Sequence, residues 1–257
     1  MTIYNRLHIA QQQSIPTALC TIIESQGSTP RKPGTKMLVY ANGEIYGSIG
    51  GGKFEHHVIQ DALEILTTNI CKVFNYAMKK EEGMSCGGTA KVFIEPLIGM
   101  SKLYIFGGGH IGKILSELTI KLGFNVFVID DRAEIIEKFE NNEVKVICKP
   151  HNEAINDLVF DANTFISIAT HNHMYDKEIV ANCAKQQCAY LGMLGSKNKI
   201  SNIKNEFLKS NTLSQKEMDK IDWPMGVKIA CNTPGEIAVS ILAKLVDVRT
   251  KLSAASE

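Results

Sequence analysis

The chain has 257 residues, of which 44 % are hydrophobic and 21 % charged, and its net charge is +1. That length suits one large domain or two small ones around a packed core. The near-zero charge excludes a bulk basic field that would draw nucleic acid or an anionic membrane. No apolar run reaches the roughly 18–20 residues that cross a bilayer, and MTIYNRLHIAQQQ lacks a signal-peptide core, so a cytoplasmic protein is expected. Seven cysteines, at 20, 71, 86, 148, 183, 188 and 231, include no CxxC pair. Reduced thiols are expected rather than a disulfide framework or zinc ribbon.

In chain order, a polar helix opens a mixed α+β unit and leads to a strand at TALCTIIES. The loop QGSTPRKPGT carries Arg31, Lys32 and Lys36 on a Pro/Gly-stiffened frame, which either grips a phosphate or carboxylate or is a solvated charged loop. KMLVY and EIYGSI flank a hairpin-like ANG. A glycine corner, GSIGGGKFE, then opens the helix KFEHHVIQDALEILTT, where Phe54, Val58, Ala62, Ile65 and Leu66 recur at helical spacing. Free amides at Gly50, Gly51 and Gly52, with Lys53 beside them, are expected to form an anion pocket; a tight corner without a ligand is the alternative. CKVFNY and AKVFIEPL read as strands around MKKEEGMSCGG. There Cys86 precedes two glycines, as an exposed thiol for a soft metal or sulfur transfer, or as an ordinary turn thiol. Cys20, Cys71 and Cys148 lie in apolar runs and are expected in strand cores.

Past a seam near IEPLIGMSK the rhythm becomes strand, helix, strand, helix: LYIF, NVFVID, VKVIC, TFISIAT and YLGML are separated by helix-sized stretches. This alternation predicts a parallel sheet covered on both faces. IFGGGHIG follows the first of these strands and opens an amphipathic helix. Gly107 permits a tight turn, Gly109 lets backbone approach a pyrophosphate, and Gly112 lets helix and strand pack closely. Asp130 follows 18 residues after Gly112, near the roughly 20 expected of a ribose-binding acid. It is expected to accept ribose hydroxyls and repel a 2′-phosphate. ATHNHMYD follows the fourth strand, where ligands border such sheets, so His171, His173 and Asp176 are candidates for metal binding or proton transfer. Ser196 is expected to cap a helix with Lys197 beside it. Thr233, Pro234 and Glu236 form a capping-box start to the last helix.

Taken together, GSTPRKPGTKML, GSIGGGKFE, CGGTAKVFIEPL, IFGGGHIG, VFVIDDR, ATHNHMYD, YLGMLGSKNK and TPGEIAVSILAKL resemble the xanthine dehydrogenase accessory factors of the XdhC/CoxI type. The match is ordered and runs from about residue 14 to 248. The resemblance implies an XdhC/CoxI domain over 1–98 and a Rossmann-like, doubly wound domain over 99–257. It implies a protein that binds molybdenum cofactor, supports its sulfuration by a cysteine desulfurase, and delivers it to a molybdenum hydroxylase, usually as a homodimer. The molybdopterin phosphate would then rest on amides of a glycine turn helped by Arg31 or Lys53, with Cys86 facing the metal and His171 bordering the crevice. The Rossmann half is open to NAD or another nucleotide, or to the nucleotide portion of a dinucleotide form of the cofactor; a turn that is only structural, or that binds another phosphate ligand, is the alternative. Two departures stand out: Lys53 replaces a cysteine that many relatives carry after the glycine corner, and Cys231 enters the stretch before TPGEIA. An NAD-dependent oxidoreductase using His171 or His173, and a nucleotide-sensing regulator, are the alternatives.

Overall fold

The computed structural model describes residues 2–13, 15–29, 31–68, 70–77, 88–97, 99–140 and 143–254. Two compact units emerge, one made by the chain up to Met100 and the other by Ser101–Ser253.

The first unit runs α1 (Ile3–Gln12), β1 (Thr17–Gln26), β2 (Lys36–Tyr40), β3 (Ile45–Gly47), α2 (Gly52–Thr68), β4 (Lys72–Ala77) and β5 (Thr89–Leu97). Its five strands form an antiparallel sheet in the order β3-β2-β1-β5-β4. Alternate residues of a strand point to opposite faces, so Ala18, Cys20 and Ile22 of β1 join Met37 and Val39 of β2 and Val92 and Ile94 of β5 in one apolar layer. The stripe Phe54, Val58, Ala62 and Ile65 of α2 packs into that layer. Each such fully buried large side chain contributes about 1.5–3 kcal/mol.

The second unit contains β6 (Lys102–Phe106), α3 (His110–Lys121), β7 (Asn125–Asp130), α4 (Ala133–Ile136), β8 (Lys145–Cys148), α5 (His151–Asp157), β9 (Thr164–Ile168), α6 (His173–Cys183), β10 (Tyr190–Met193), α7 (Lys197–Ser210), α8 (Gln215–Met218) and α9 (Pro234–Ala254). The strands are parallel, in the order β10-β9-β6-β7-β8. With β6 innermost and the chain crossing to both sides of it, this is a doubly wound, dinucleotide-binding type of arrangement. β6 and β9 are wholly buried. Tyr104, Phe106, Ile166 and Ile168 face α5, α6 and α7 on one side, and Leu103, Ile105 and Phe165 face α3 and α9 on the other. The sheet order reverses between β6 and β9, and a ligand crevice is expected at their carboxyl ends.

The helix starts follow their local chemistry. Ser196 Oγ accepts from Lys199 N at 3.3 Å. Thr233 Oγ1 accepts from Glu236 N, while the Glu236 carboxylate accepts from Asn232 N and Thr233 N. The cysteine expectation needs correction. Cys20 is buried, but Cys71 and Cys148 are exposed. Cys71 leads into β4 and Cys148 ends β8, and both are edge strands, where an apolar run is not enclosed on two sides. Among the described residues no helix is long and apolar enough to cross a membrane.

Candidate functional site

The glycine turn sits at the β6/β9 switch point. Gly107 has φ +109°, and a Cβ there would lie 2.3 Å from the Ala169 carbonyl oxygen; only glycine lets β6 leave the sheet past the exit of β9. A Cβ at Gly112 would lie 1.9 Å from the Gly107 oxygen, so its absence lets α3 start directly on the turn. Gly109 is the N-cap of α3 and offers no side chain to the first-turn amides, and a Cβ there would meet nothing within 4 Å. An uncapped helix N-terminus facing open space is a natural seat for an anion.

Asp130, at the end of β7, is 1 % exposed. Its Oδ2 accepts from Gly108 N at 2.8 Å and from Arg132 Nη2 at 2.8 Å; its Oδ1 accepts from Arg132 Nε at 2.8 Å and Arg132 N at 3.1 Å. Burial pushes this carboxyl up, but the Arg132 guanidinium and the two backbone amides outweigh it and hold the pKa down at about 2. A carboxylate offers about four acceptor positions, and all four are engaged. The expectation that Asp130 receives ribose hydroxyls is therefore corrected: it clamps the turn through Gly108 and orients Arg132.

On the β9 side, Asp176 is fully buried. Its Oδ1 accepts from Thr170 N at 3.0 Å and Thr170 Oγ1 at 2.8 Å, and its other oxygen pairs with Lys199. This anion shapes the Thr170–Asn172 loop and is not free for a metal or a proton relay. His171 and His173 are both exposed. Among the described residues no group of three or more His, Cys, Asp or Glu is placed to hold a metal ion.

These elements enclose a cavity of about 420 Å³, within the usual range for small-molecule sites. Gly108, Gly109 and His110 form one edge, and Ala169, Thr170 and His171 the other. Arg132, Lys113 and Lys138 bring positive charge, and Ile111 and Ile135 bring apolar surface. Gly109 and His171 thus meet at one site, with Gly107, Gly112 and Asp130 immediately behind it. Arg132, Lys113, Lys138, Thr170 and Gly108 were not singled out by sequence reasoning. The DDR ending of the second strand was the available signal for Arg132, because its guanidinium can reach back two residues to the strand end.

Next to this site His151 is 5 % exposed and has no partner at either ring nitrogen, and Asp131 Oδ1 is likewise buried without one. Burial lowers the His151 pKa against the opposing pull of Asp131 and Asp130. Its ring packs edge-on against Phe106 and Tyr175.

The first-unit corner differs from its expectation. Gly50, Gly51 and Gly52 all have positive φ, as a sharp strand-to-helix corner requires. Their amides are not all free. Glu55 Oε2 accepts from Ser48 Oγ at 2.6 Å, Ile49 N at 3.0 Å and Gly51 N at 3.1 Å, and Gly50 N donates to Ser48 Oγ. Burial alone would raise the Glu55 pKa, but hydrogen bonds from Ser48, Gly51, Ile49 and Gly50 bring it below the ordinary value. The chain's own carboxylate fills the place expected for an external anion. Lys53 is exposed on the first turn of α2, and Arg31 is exposed after β1; neither lines the cavity at the glycine turn. Cys86 lies outside the described residues.

Comparison with known proteins agrees with this architecture. The model of the XdhC Rossmann domain matches residues 103–245, and that of the XdhC and CoxI family matches residues 10–77. The Escherichia coli protein YqeB is 31 % identical over 97 % of this chain and 46 % of its own length. A Bacillus subtilis protein, named as one of the probable subunits of xanthine dehydrogenase, is 27 % identical over 64 % of this chain and 48 % of its own length. The chain thus spans about half the length of these two relatives. A crystal structure of a xanthine dehydrogenase from Bacillus halodurans superposes with a TM-score of 0.55 at 21 % identity, covering 100 % of this chain and 98 % of that one; at that identity the likeness concerns the fold. With one family model spanning more than half of its residues, the chain belongs to the XdhC family.

Proposed function

We propose that the chain is an accessory protein of a xanthine dehydrogenase-type molybdenum hydroxylase, and that it holds a phosphorylated cofactor at the β6/β9 switch point. The observation that carries this reading is the cavity at the glycine turn. An uncapped helix N-terminus and three cationic side chains converge there, and no carboxylate among the described residues lines it. Family membership directs the reading towards molybdenum cofactor, its sulfuration by a cysteine desulfurase and its delivery to the client.

The residues present fit the phosphate end of such a cofactor. First-turn amides of α3 would meet the phosphate oxygens, Lys113 and Arg132 would balance their charge, and Ile111 and Ile135 would offer apolar contact to the flat face of a heterocycle. When bound, the group would supply the sulfur-rich metal centre that the client uses. No thiol lines the cavity among the described residues; the metal-facing role of Cys86 is proposed on the family resemblance, and the chain's part at this site is to bind, orient and shield. A homodimer is part of the same proposal.

The test is anaerobic purification with a candidate hydroxylase, followed by metal and pterin analysis and a client activity assay. Pterin retained by the chain, and client activity that depends on it, are expected. A Cys86→Ala variant is expected to lose metal while keeping pterin; full retention of both would remove that thiol from the mechanism. The exposed His171 on the cavity wall favours one second reading, an NAD-dependent oxidoreductase. Oxidation of a small alcohol or hydroxy acid with NAD+ reduced to NADH would support it.

A further inference from the structure

The end of β7 is where a doubly wound site reads the sugar of a nucleotide. A free carboxylate there accepts ribose hydroxyls, whereas an arginine accommodates a 2′-phosphate. This chain carries both groups two residues apart, and hydrogen bonding decides which one a ligand meets. Asp130 is 1 % exposed and already accepts four hydrogen bonds, three of them from Arg132. Arg132 lines the cavity and Asp130 does not. A guanidinium has five N–H donors, and the bidentate pair with Asp130 uses the Nε donor and one on Nη2, so further donors remain.

Lys113 and Lys138 line the same cavity. Both also line a smaller cavity of about 260 Å³ between α3 and the turn after α4, where Glu117 and Glu140 stand beside them, so the unbalanced positive charge lies at the glycine turn. The acids acting on Arg132, besides Asp130, are Asp131 and Glu134, and neither lines the cavity at the turn. The glycine turn and the α3 N-terminus accommodate one phosphate group. The cavity wall at the end of β7 therefore presents cations to a ligand, and the acid nearest to them, Asp130, is saturated.

We infer that this site takes a ligand bearing a second phosphate beside its ribose, a 2′-phosphorylated dinucleotide of the NADP(H) class, in preference to its 2′-hydroxyl counterpart. The inference rests on the reading that the glycine turn holds a phosphorylated ligand; the nucleotide would occupy this cavity in alternation with the phosphorylated cofactor and not together with it. Specificity follows from saturation of Asp130: that carboxylate has no acceptor position left for a 2′-hydroxyl, and a 2′-phosphate finds an oriented guanidinium and two lysines.

The test is titration of the full chain with NADPH and with NADH, followed by nucleotide fluorescence or heat, at low and moderate salt. NADPH is expected to bind at least about ten-fold tighter, as a few charge-assisted hydrogen bonds allow. The preference should shrink as salt rises. Arg132→Ala is expected to abolish the preference. Because that change also strips Asp130 of its partner, Lys138→Ala, at an exposed position, serves as the second variant and is expected to narrow the preference by lowering NADPH affinity more than NADH affinity; an unchanged ratio would count against the inference. Equal or tighter binding of NADH would overturn the preference while leaving a nucleotide site in place. If neither nucleotide bound, both the preference and the nucleotide reading would fall.

Discussion

Gly109 and Gly112 stand three residues apart in one motif, yet they answer to different constraints. A Cβ at Gly112 would overlap the Gly107 carbonyl at 1.9 Å, whereas one at Gly109 would stand in open space with φ already at −64°. Gly112→Ala is therefore expected to cost about 3 kcal/mol or more, read from urea unfolding. Gly109→Ala is expected to cost about 1 kcal/mol or less while weakening ligand binding, because the new methyl projects where the ligand would approach. Asp130 gives a pH signature at the same scale. Its folded pKa of about 2 lies below the ordinary 3.8. Its contribution is thus fully present above about pH 4 and is lost as pH falls towards 2. Asp130→Asn is expected to lower stability at pH 7 and to flatten the acid limb of the stability–pH curve; an unchanged limb would show that the pairing with Arg132 does not form in solution. The sequence showed an acid and an arginine near the strand end but not which of them would face the cavity. That outcome depends on the Gly108 amide and on a guanidinium folding back two residues, neither of which has a periodic signature.

At the scale of elements, the chain was largely readable. The apolar runs became β1–β10, the 3.6-residue stripe of α2 packs on its sheet, and the Ser196 and Thr233 starts formed where capping chemistry placed them. The exposure of Cys71 and Cys148 was not readable, because an edge position follows from sheet order and not from the strand's own residues. Nor was the role of Glu55, which turns back from the first turn of α2 to take the amides of its own glycine corner. A carboxylate at a helix start has the same appearance in sequence whether it caps that helix or faces solvent. The loop after β9 depends on the α6–α7 pairing of Asp176 with Lys199. Lys199→Ala leaves a buried anion unpaired, and about 3 kcal/mol of destabilisation is expected in thermal unfolding. Wild-type stability in that variant would mean that the Thr170 loop is held by other contacts.

At the scale of the whole chain, each unit carries its own apolar clusters, and the family models match the two in order. The first unit's glycine corner engages the Ile49, Gly50 and Gly51 amides internally, while the second unit's turn leaves an open, cationic cavity. The proposed phosphate site is therefore assigned to the Rossmann unit. The most direct measurement is anaerobic binding of molybdopterin to the purified chain, compared with its dephosphorylated form and repeated with Lys113→Glu/Lys138→Glu. The account predicts saturable binding of the phosphorylated form, at least about ten-fold weaker binding without the phosphate, and a comparable loss in the double variant. Equal binding of both forms, or full affinity in the double variant, would contradict it.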